Sequence, residues 1–135
     1  RIAINCPCHS GQPYASCCQP FHDGRQRPSP TQLMRARYAA YALGNGRFIL
    51  QTTWAEPASS AQENANQRRA IKAFCQSTQF LGLHILADEL LAENQATVTF
   101  HATLRQNGQD ASFTEQSLFE RHQGRWFYVR ALAQE

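Results

Sequence analysis

Four cysteines of this 135-residue chain lie close together in the stretch CPCHSGQPYASCC, residues 6–18. They are Cys6, Cys8, Cys17 and Cys18, in the spacing C-x-C-x8-C-C around a Ser-Gly-Gln-Pro turn. Two short cysteine pairs on facing turns can place four thiolates around one tetrahedral ion at about 2.3 Å, which is what structural zinc requires. The spacing therefore predicts one Zn²⁺ held by four cysteines.

Two alternatives to this ligand set stay open at the level of sequence. Disulfide bonds would have to link one pair to the other, because bridges within C-x-C or C-C require strained geometry. His9 or His22 could replace one thiolate in a Cys3His site, since each lies near a cysteine pair. The fifth cysteine, Cys75, indicates a small buried hydrophobe, and an odd cysteine favours a reducing compartment. We therefore expect a cytoplasmic protein.

Charge and composition exclude several classes of function. The formal net charge is +3, from 13 basic and 10 acidic side chains, and the arginines are scattered along the chain, so nucleic acid is not expected as a partner. A zinc ion with four thiolates would add a charge of −2 and so reduce the net charge of the chain to about +1. This negative site would favour nearby cations such as Arg25 and Arg27. No apolar run approaches the roughly 20 residues of a membrane span. No Ser-His-Asp order, phosphate loop or dinucleotide fingerprint is present, so no catalytic residue is assigned.

The residues after the cysteine stretch predict helices. A Pro-containing connector over residues 20–30 comes first. Thr31 then offers an N-cap for a helix over residues 31–43, and Gly44 ends that helix.

Two further segments precede the second half of the chain. Residues 60–76 predict another helix, in which Ser60 and Glu63 form a capping box. Residues 48–54 fit either a short helix or a strand, which Pro57 ends. The strand-forming pattern begins only after these segments.

The second half of the chain changes to a period of two. FLGLHILADELL predicts a long strand with both faces partly covered, and ATVTFHATL alternates apolar with polar residues. Turn signals at residues 106–109 and 122–125 predict hairpins, and strands over 112–121 and 125–133 complete a four-strand antiparallel meander. Helices followed by a curved meander indicate an α+β domain.

The cysteine stretch resembles the SEC-C motif, approximately C-x-C-G-S-G-x-x-[YF]-x-x-C-[CH], with His9 in place of one glycine. PTQLMRARYAAYALGN, TTWAEP and SLFERHQGRWFYV are similar to the YchJ family of bacterial proteins, so the resemblance covers nearly the whole chain. It implies a SEC-C-like zinc knuckle and connector over residues 1–28. It also implies a nuclear-transport-factor-2-like domain over residues 29–135, a cone in which a curved antiparallel sheet wraps around helices and leaves a cavity at its open end.

Charged residues on two apolar faces are the candidates for that cavity. Arg37 falls on the apolar face of helix 31–43 beside Tyr38, where it must either reach water at the helix edge or find a carboxylate. Glu115 and Ser117 alternate with phenylalanines on one face of a strand, which we expect to point inward. We therefore predict an Arg37–Glu115 ion pair. A Glu115 without that partner would instead suit acid–base chemistry, because burial raises the pKa of a carboxyl group.

Three aromatic side chains complete the set of cavity candidates. His84 shares a period-two face with Phe80 and could line the cavity as a hydrogen-bonded wall residue. Trp54 and Trp126 are expected in the core or the cavity wall. Arg35 lies further round its helix and is expected in water.

Two functions from different classes follow. In the first, the protein is a non-enzymatic adaptor: the zinc knuckle, attached to a separately stable cone, presents a surface to a protein partner or the ribosome, and the cone is a second platform. In the second, the cone holds a small apolar ligand or performs isomerase or hydratase chemistry with Glu115 and His84. The threonine-rich outer face of the sheet could also pair two subunits as a homodimer.

Overall fold

Helices precede strands in the fold, as the sequence predicts. The computed structural model describes residues 4–54 and 61–135. A short 3₁₀ turn, Tyr14–Ser16, lies between the cysteine pairs. The helices are α1 (Gln19–His22), α2 (Pro30–Leu43), α3 (Gly46–Gln51) and α4 (Ala61–Ser77). The strands are β1 (Thr78–Ala92), β2 (Gln95–Gln106), β3 (Gln109–Asp110), β4 (Phe113–His122) and β5 (Arg125–Gln134).

The sheet is the predicted antiparallel meander, in the order β1-β2-β4-β5, with the two-residue β3 paired to β2 as an addition. Both predicted hairpin turns are confirmed. Asn107 and Gly108 have φ angles of 51° and 76°, and Gln123 and Gly124 have 55° and 78°. Two successive left-handed residues give the turn whose twist matches that of antiparallel strands, and glycine or asparagine adopts them at least cost.

Strand β1 departs from the predicted alternation. The register against β2 shifts between Phe80 and Gly82 and again between Ile85 and Ala87, so the side chains change faces at these bulges. Leu83 points into the core, but leucines elsewhere on β1 are exposed, including Leu86 at 57%. The expectation that both faces of this strand are partly covered is therefore wrong for its second half.

Helix α2 begins at Pro30, one residue earlier than the sequence suggests, and its N-cap lies two residues earlier. Its N-cap is Ser29, which forms a capping box with Gln32, whereas Thr31 donates a hydrogen bond to the Asp88 carboxylate. Its end at Gly44, in the left-handed conformation with φ 74°, is confirmed.

The other helical predictions have mixed outcomes. The helix predicted over residues 60–76 is observed as α4, and the short segment before it is the helix α3 rather than a strand. The capping residue Ser60 and the terminating Pro57 lie outside the described residues. None of the four helices in the described part of the chain combines the length and apolar composition that spanning a bilayer demands.

Helix α2 occupies the centre of the core. The five consecutive residues from Ala36 to Ala40 are all buried, which is more than one turn of about 3.6 residues. The inner face of β2 covers one side of the core with the predicted residues Val98, Phe100, Ala102 and Leu104. Cys6, Cys8 and Cys18 belong to the same buried cluster as α2. The cysteine segment is therefore part of the core.

The N-cap assignment gives a first prediction. Ser29→Ala should lower the free energy of unfolding by about 1 kcal/mol, because the backbone N–H of Gln32 loses its acceptor. Thr31→Ala removes only an exposed hydrogen bond and should cost less than about 0.5 kcal/mol. Urea denaturation of both variants measures the difference. A greater loss for Thr31→Ala would show that Thr31, and not Ser29, is the cap.

Candidate functional site

The four cysteines of the first motif come together as one group that could hold a metal ion. Their four sulfur atoms all lie within 4.8 Å of one another. The Cys8 and Cys17 sulfurs are 3.6 Å apart, and those of Cys17 and Cys18 are 3.9 Å apart. A tetrahedral ion with metal–sulfur bonds of about 2.3 Å needs sulfurs separated by about 3.8 Å, so these distances fit such an ion. All the cysteines carry free thiols, and a disulfide would need about 2.05 Å.

Local backbone geometry brings the two pairs together. The Cys6 N–H donates to the Gln12 carbonyl at 2.8 Å, and Asn5 bridges to Pro13, so the chain folds back on itself between the pairs. His9 has a φ of 62°, in the left-handed region that favours glycine. The histidine that replaces the motif's glycine therefore keeps the backbone conformation of the turn.

Neither nearby histidine belongs to the cysteine group. The His22 ring bonds through Nδ1 to the Tyr14 hydroxyl at 2.7 Å and through Nε2 to the Ala36 carbonyl at 2.8 Å. His9 Nε2 lies 3.2 Å from the Phe80 carbonyl. Both rings are held by partners outside the cluster, so the all-cysteine set is the arrangement that the geometry favours.

The crowded sulfurs disturb one another's protonation. A hydrogen bond from Cys18 lowers the pKa of Cys8 to about 4, and the same contact raises the pKa of Cys18. Burial raises the pKa of Cys6 to about 11. Buried negative charge is unfavourable unless a cation compensates it, and a divalent ion at the centre of four sulfurs provides that compensation.

The cysteine segment is bonded directly to the rest of the domain. Arg35, expected in water, is half-buried, and its Nη1 donates to the Cys8 carbonyl at 3.3 Å. Arg25 instead pairs with Asp23 at 3.2 Å on the surface. The division of the chain at residue 28 stays a prediction, but these contacts, with those of His9 and His22, argue against an independent knuckle.

The predicted cavity lies between α2, α4 and the inner face of the sheet. It has a volume of about 340 Å³. Arg37, Tyr38 and Glu115 line it, as predicted. The other lining residues are mainly apolar: Met34, Tyr41, Ala70, Ile71, Phe74, Phe80, Phe100, Ala102, Leu104, Phe113 and Tyr128.

Arg37 is buried, with 5% of its surface exposed. Its Nη1 donates to the Ile49 carbonyl and to the hydroxyls of Thr52 and Thr53, at 3.2, 2.9 and 2.8 Å. The guanidinium lies over the Tyr128 ring, 4.4 Å from its centre. Burial lowers the pKa of Arg37 from its very high ordinary value, and it stays a cation. All its hydrogen bonds to described residues come from Nη1, so Nε and Nη2 have no acceptor among them.

Glu115 is also buried and accepts three hydrogen bonds. Ser117 and Tyr128 donate their hydroxyls to Oε2 at 2.6 and 3.0 Å, and Gln134 donates to Oε1 at 3.1 Å. Burial and the neighbouring Glu115 carboxylate raise the pKa of Tyr128, so its hydroxyl stays protonated and donates.

The predicted Arg37–Glu115 ion pair is not formed. The ion pairs within 4.0 Å in the described chain do not include it. Tyr128 stands between the two charges, with its ring against Arg37 and its hydroxyl on Glu115. The sequence predicts that Arg37 and Glu115 both line the cavity, but it does not predict that Tyr128 connects them.

Ser117, also predicted for the cavity, is fully buried and donates to Glu115 without lining the cavity, and three other predicted residues lie elsewhere. His84 is exposed on the outer face of β1, because the bulge after Phe80 changes the face of the strand. Trp54 is 41% exposed and stacks on His122 with ring centres 3.7 Å apart. Trp126 packs against the core, as expected, but lines a separate groove and not the cavity. Cys75 is half-buried, and burial raises its pKa.

Comparisons with known proteins agree with this architecture. Residues 29–131 match the family model described as YchJ, middle NTF2-like domain. A UPF0225 protein of Haemophilus influenzae (strain 86-028NP) is 36% identical over 126 residues, which are 93% of this chain and 75% of that protein. A UPF0225 protein of Deinococcus radiodurans is 38% identical over 128 residues, 93% of this chain and 87% of that protein.

Solved structures give the same result. A SEC-C motif containing protein from Rhodopseudomonas palustris superimposes with a TM-score of 0.81 at 33% identity, over 96% of this chain and 98% of that one. A second SEC-C motif containing protein, from Psychrobacter arcticus, superimposes with a TM-score of 0.76 at 28% identity, over 92% of this chain and 79% of that one. An NTF-2 like protein of unknown function from Shewanella oneidensis, at 16% identity over 73% of this chain and 91% of that one, shares the fold with a TM-score of 0.56. The predicted fold and family are confirmed: this chain belongs to the YchJ (UPF0225) family, with a SEC-C cysteine motif on an NTF2-like domain.

Proposed function

We propose that this protein is a zinc-containing, non-enzymatic binding protein whose cone cavity takes a small, largely apolar ligand with one hydrogen-bond acceptor group. The observation that carries the proposal is the buried Arg37, with donors left over, on the wall of an otherwise apolar cavity. Ligand sites of this kind combine a mainly apolar lining with a few polar groups that orient the ligand.

The metal in this proposal is zinc, and its role is structural. Four thiolate ligands close a tetrahedral zinc site, which leaves no position for water or substrate. The separations of the sulfur atoms and the absence of a disulfide among the described cysteines support this choice. A reduced cysteine cluster also suits a reducing compartment such as the cytoplasm.

The bound zinc would fix the N-terminal segment on the cone. Three hydrogen bonds support this role, from Arg35 to Cys8 and from the His9 and His22 rings to carbonyls of the domain. A protein partner for the exposed side of the knuckle, and a homodimer through the sheet, remain part of the proposal without a contact that assigns them.

Arg37 determines the chemistry of the proposed ligand. The carboxylate of Glu115 already accepts three hydrogen bonds, so it has little capacity left for a ligand donor. Arg37 Nε and Nη2 can donate two parallel hydrogen bonds, the arrangement that a carboxylate accepts. The cavity volume of about 340 Å³ equals the share of roughly eleven waters at about 30 Å³ each. A carboxylate on a short hydrocarbon chain fits both features.

The enzyme alternative loses its proposed pair of catalysts. His84 lies on the outer face of the sheet, while Glu115 lies in the core. Glu115 is held as an acceptor by Ser117 and Tyr128, which fixes the position of its carboxyl group and suits a positioning role. The geometry therefore favours binding over acid–base catalysis.

The zinc site gives a prediction with a matched control in the same chain. Protein purified without added zinc should contain about one equivalent, and chelation should lower the Tm by roughly 10 °C or more. Cys18→Ser should lose the metal and show the same low Tm. Cys75→Ser should retain the metal and the Tm of the wild-type protein. Metal analysis and thermal unfolding measure these results. Finding two native disulfides and no metal would disprove the assignment.

The cavity gives a prediction about small ligands. Octanoate should bind about tenfold more tightly than octanol, because only the carboxylate makes charge-assisted hydrogen bonds with Arg37. Ala102→Leu, which fills the cavity, should weaken octanoate binding at least tenfold, while Ala131→Leu on the surface should not. Titration calorimetry measures each affinity. Equal affinities of the wild-type and Ala102→Leu proteins would place the ligand outside the cavity.

The link between Tyr128 and Glu115 can be measured separately. Tyr128→Phe and Glu115→Gln should each destabilise the protein by about 1–3 kcal/mol, because each disturbs a buried hydrogen bond to a charge. The double variant should lose less than the sum, by at least about 0.5 kcal/mol. Tyr41→Phe, which changes another cavity tyrosine, should be additive with Glu115→Gln. Urea unfolding of the five variants provides the cycle, and additivity of the Tyr128 pair would contradict the link.

A further inference from the structure

The fold gathers arginines that are far apart in the sequence. Arg27 comes from the connector after α1, Arg47 from α3, and Arg121 and Arg125 from the hairpin between β4 and β5. They line two adjoining grooves of about 710 and 620 Å³, and Arg27, Arg125 and Phe127 line both. We call the two together the arginine groove.

Three of these arginines have no acidic partner in the described chain. Arg27, Arg47 and Arg125 are exposed. The ion pairs among described residues are Arg25–Asp23 and His122–Glu120, so none of the three takes part in one. Among the described residues that line the groove, Asp23 is the one acidic residue, and Arg25 already neutralises it. The described lining of the groove therefore carries uncompensated positive charge.

Aromatic rings lie among these cations. Trp54 and His122 stack almost in parallel, with ring centres 3.7 Å apart and a 10° angle between planes. Arg121 lies over the Trp126 ring at 5.1 Å and is held there by hydrogen bonds to the loop at Glu93 and Asn94. The partly exposed Trp54 offers a flat apolar surface beside the charged side chains.

We propose that the arginine groove binds single-stranded RNA. The positive charge of exposed arginines is complementary to the negative charge of the phosphate backbone. Proteins usually hold unpaired nucleotides by stacking the bases on aromatic rings. A duplex keeps its bases stacked inside and cannot use Trp54 in this way. The side-chain amides of Gln26 and Gln51, which also line the groove, can bond to ribose 2′-hydroxyls. The expectation that nucleic acid is not a partner rested on arginines scattered in sequence, and the fold brings four of them to one place.

The test is fluorescence anisotropy with the 135-residue chain, purified with the metal that it retains, and a labelled 12-nucleotide oligouridylate at several salt concentrations. The double variant Arg27→Gln/Arg125→Gln should bind at least tenfold more weakly at low salt. The slope of log affinity against log salt should fall by about 1.4, the value for two lost phosphate contacts on a single strand. Trp54→Leu should weaken binding about tenfold and leave this slope unchanged.

The matched control is Arg105→Gln/Arg130→Gln, which removes the same charge from exposed positions outside the groove. It should bind RNA nearly as well as the wild type. Thermal unfolding confirms that each variant is folded, which is expected because the substituted arginines form no ion pairs. Equal weakening by the control pair would overturn the proposal. The proposal would also be overturned if a duplex RNA, or a single-stranded DNA oligomer of the same length, bound with the same affinity as oligouridylate.

Discussion

The middle of helix α2, residues 36–40, is buried on every side, and the rest of the structure is arranged to cover it. Five consecutive buried residues leave no side of this part of the helix facing water. The sheet covers one side and α3 and α4 cover others, but the side that carries Arg35 and Ala36 is covered by the cysteine segment. A motif that looks like an appendage in the sequence is thus a wall of the core.

The buried charge on this helix has a related consequence. Removing a guanidinium from water costs several kcal/mol unless it is paired and hydrogen-bonded. Here Arg37 is stabilised by three acceptors in and after α3 and by the Tyr128 ring, and no described carboxylate forms an ion pair with it. The arrangement fixes α3 against α2, and Arg37 also lines the cavity. In the proposed function, ligand recognition therefore uses the guanidinium nitrogens that structural support does not use.

The sequence predicts what depends on local pattern. The four cysteines share one short segment, the hairpins have their turn residues, and alternation correctly gives the inner faces of β2 and β4. The predictions that failed depend on non-local geometry. The bulge after Phe80 in β1 moves His84 to the outer face, and nothing in the run FLGLHILADELL marks this bulge. Trp54 lies in the arginine groove and not in the core or the cavity wall, and Trp126 packs against the core but lines the arginine groove instead of the cavity.

The role of Tyr128 between Arg37 and Glu115 was also beyond the sequence, because it requires the pairing of β4 with β5 and the position of α2 together. The same holds for the arginine groove, whose members come from a connector, a helix and a hairpin. Covalent spacing identifies a metal site within thirteen residues, whereas a site assembled from several elements becomes visible only in the fold.

Hydrogen–deuterium exchange of the zinc-loaded and chelator-treated protein tests most directly whether the cysteine cluster supports the core. Loss of the metal should speed amide exchange in residues 4–23, and also in residues 33–41 of α2 and 80–83 of β1, which the cysteine segment contacts. Cys18→Ser should give the same pattern without chelator. Faster exchange confined to residues 4–23, with α2 fully protected, would show that the knuckle is an independent appendage and contradict this account.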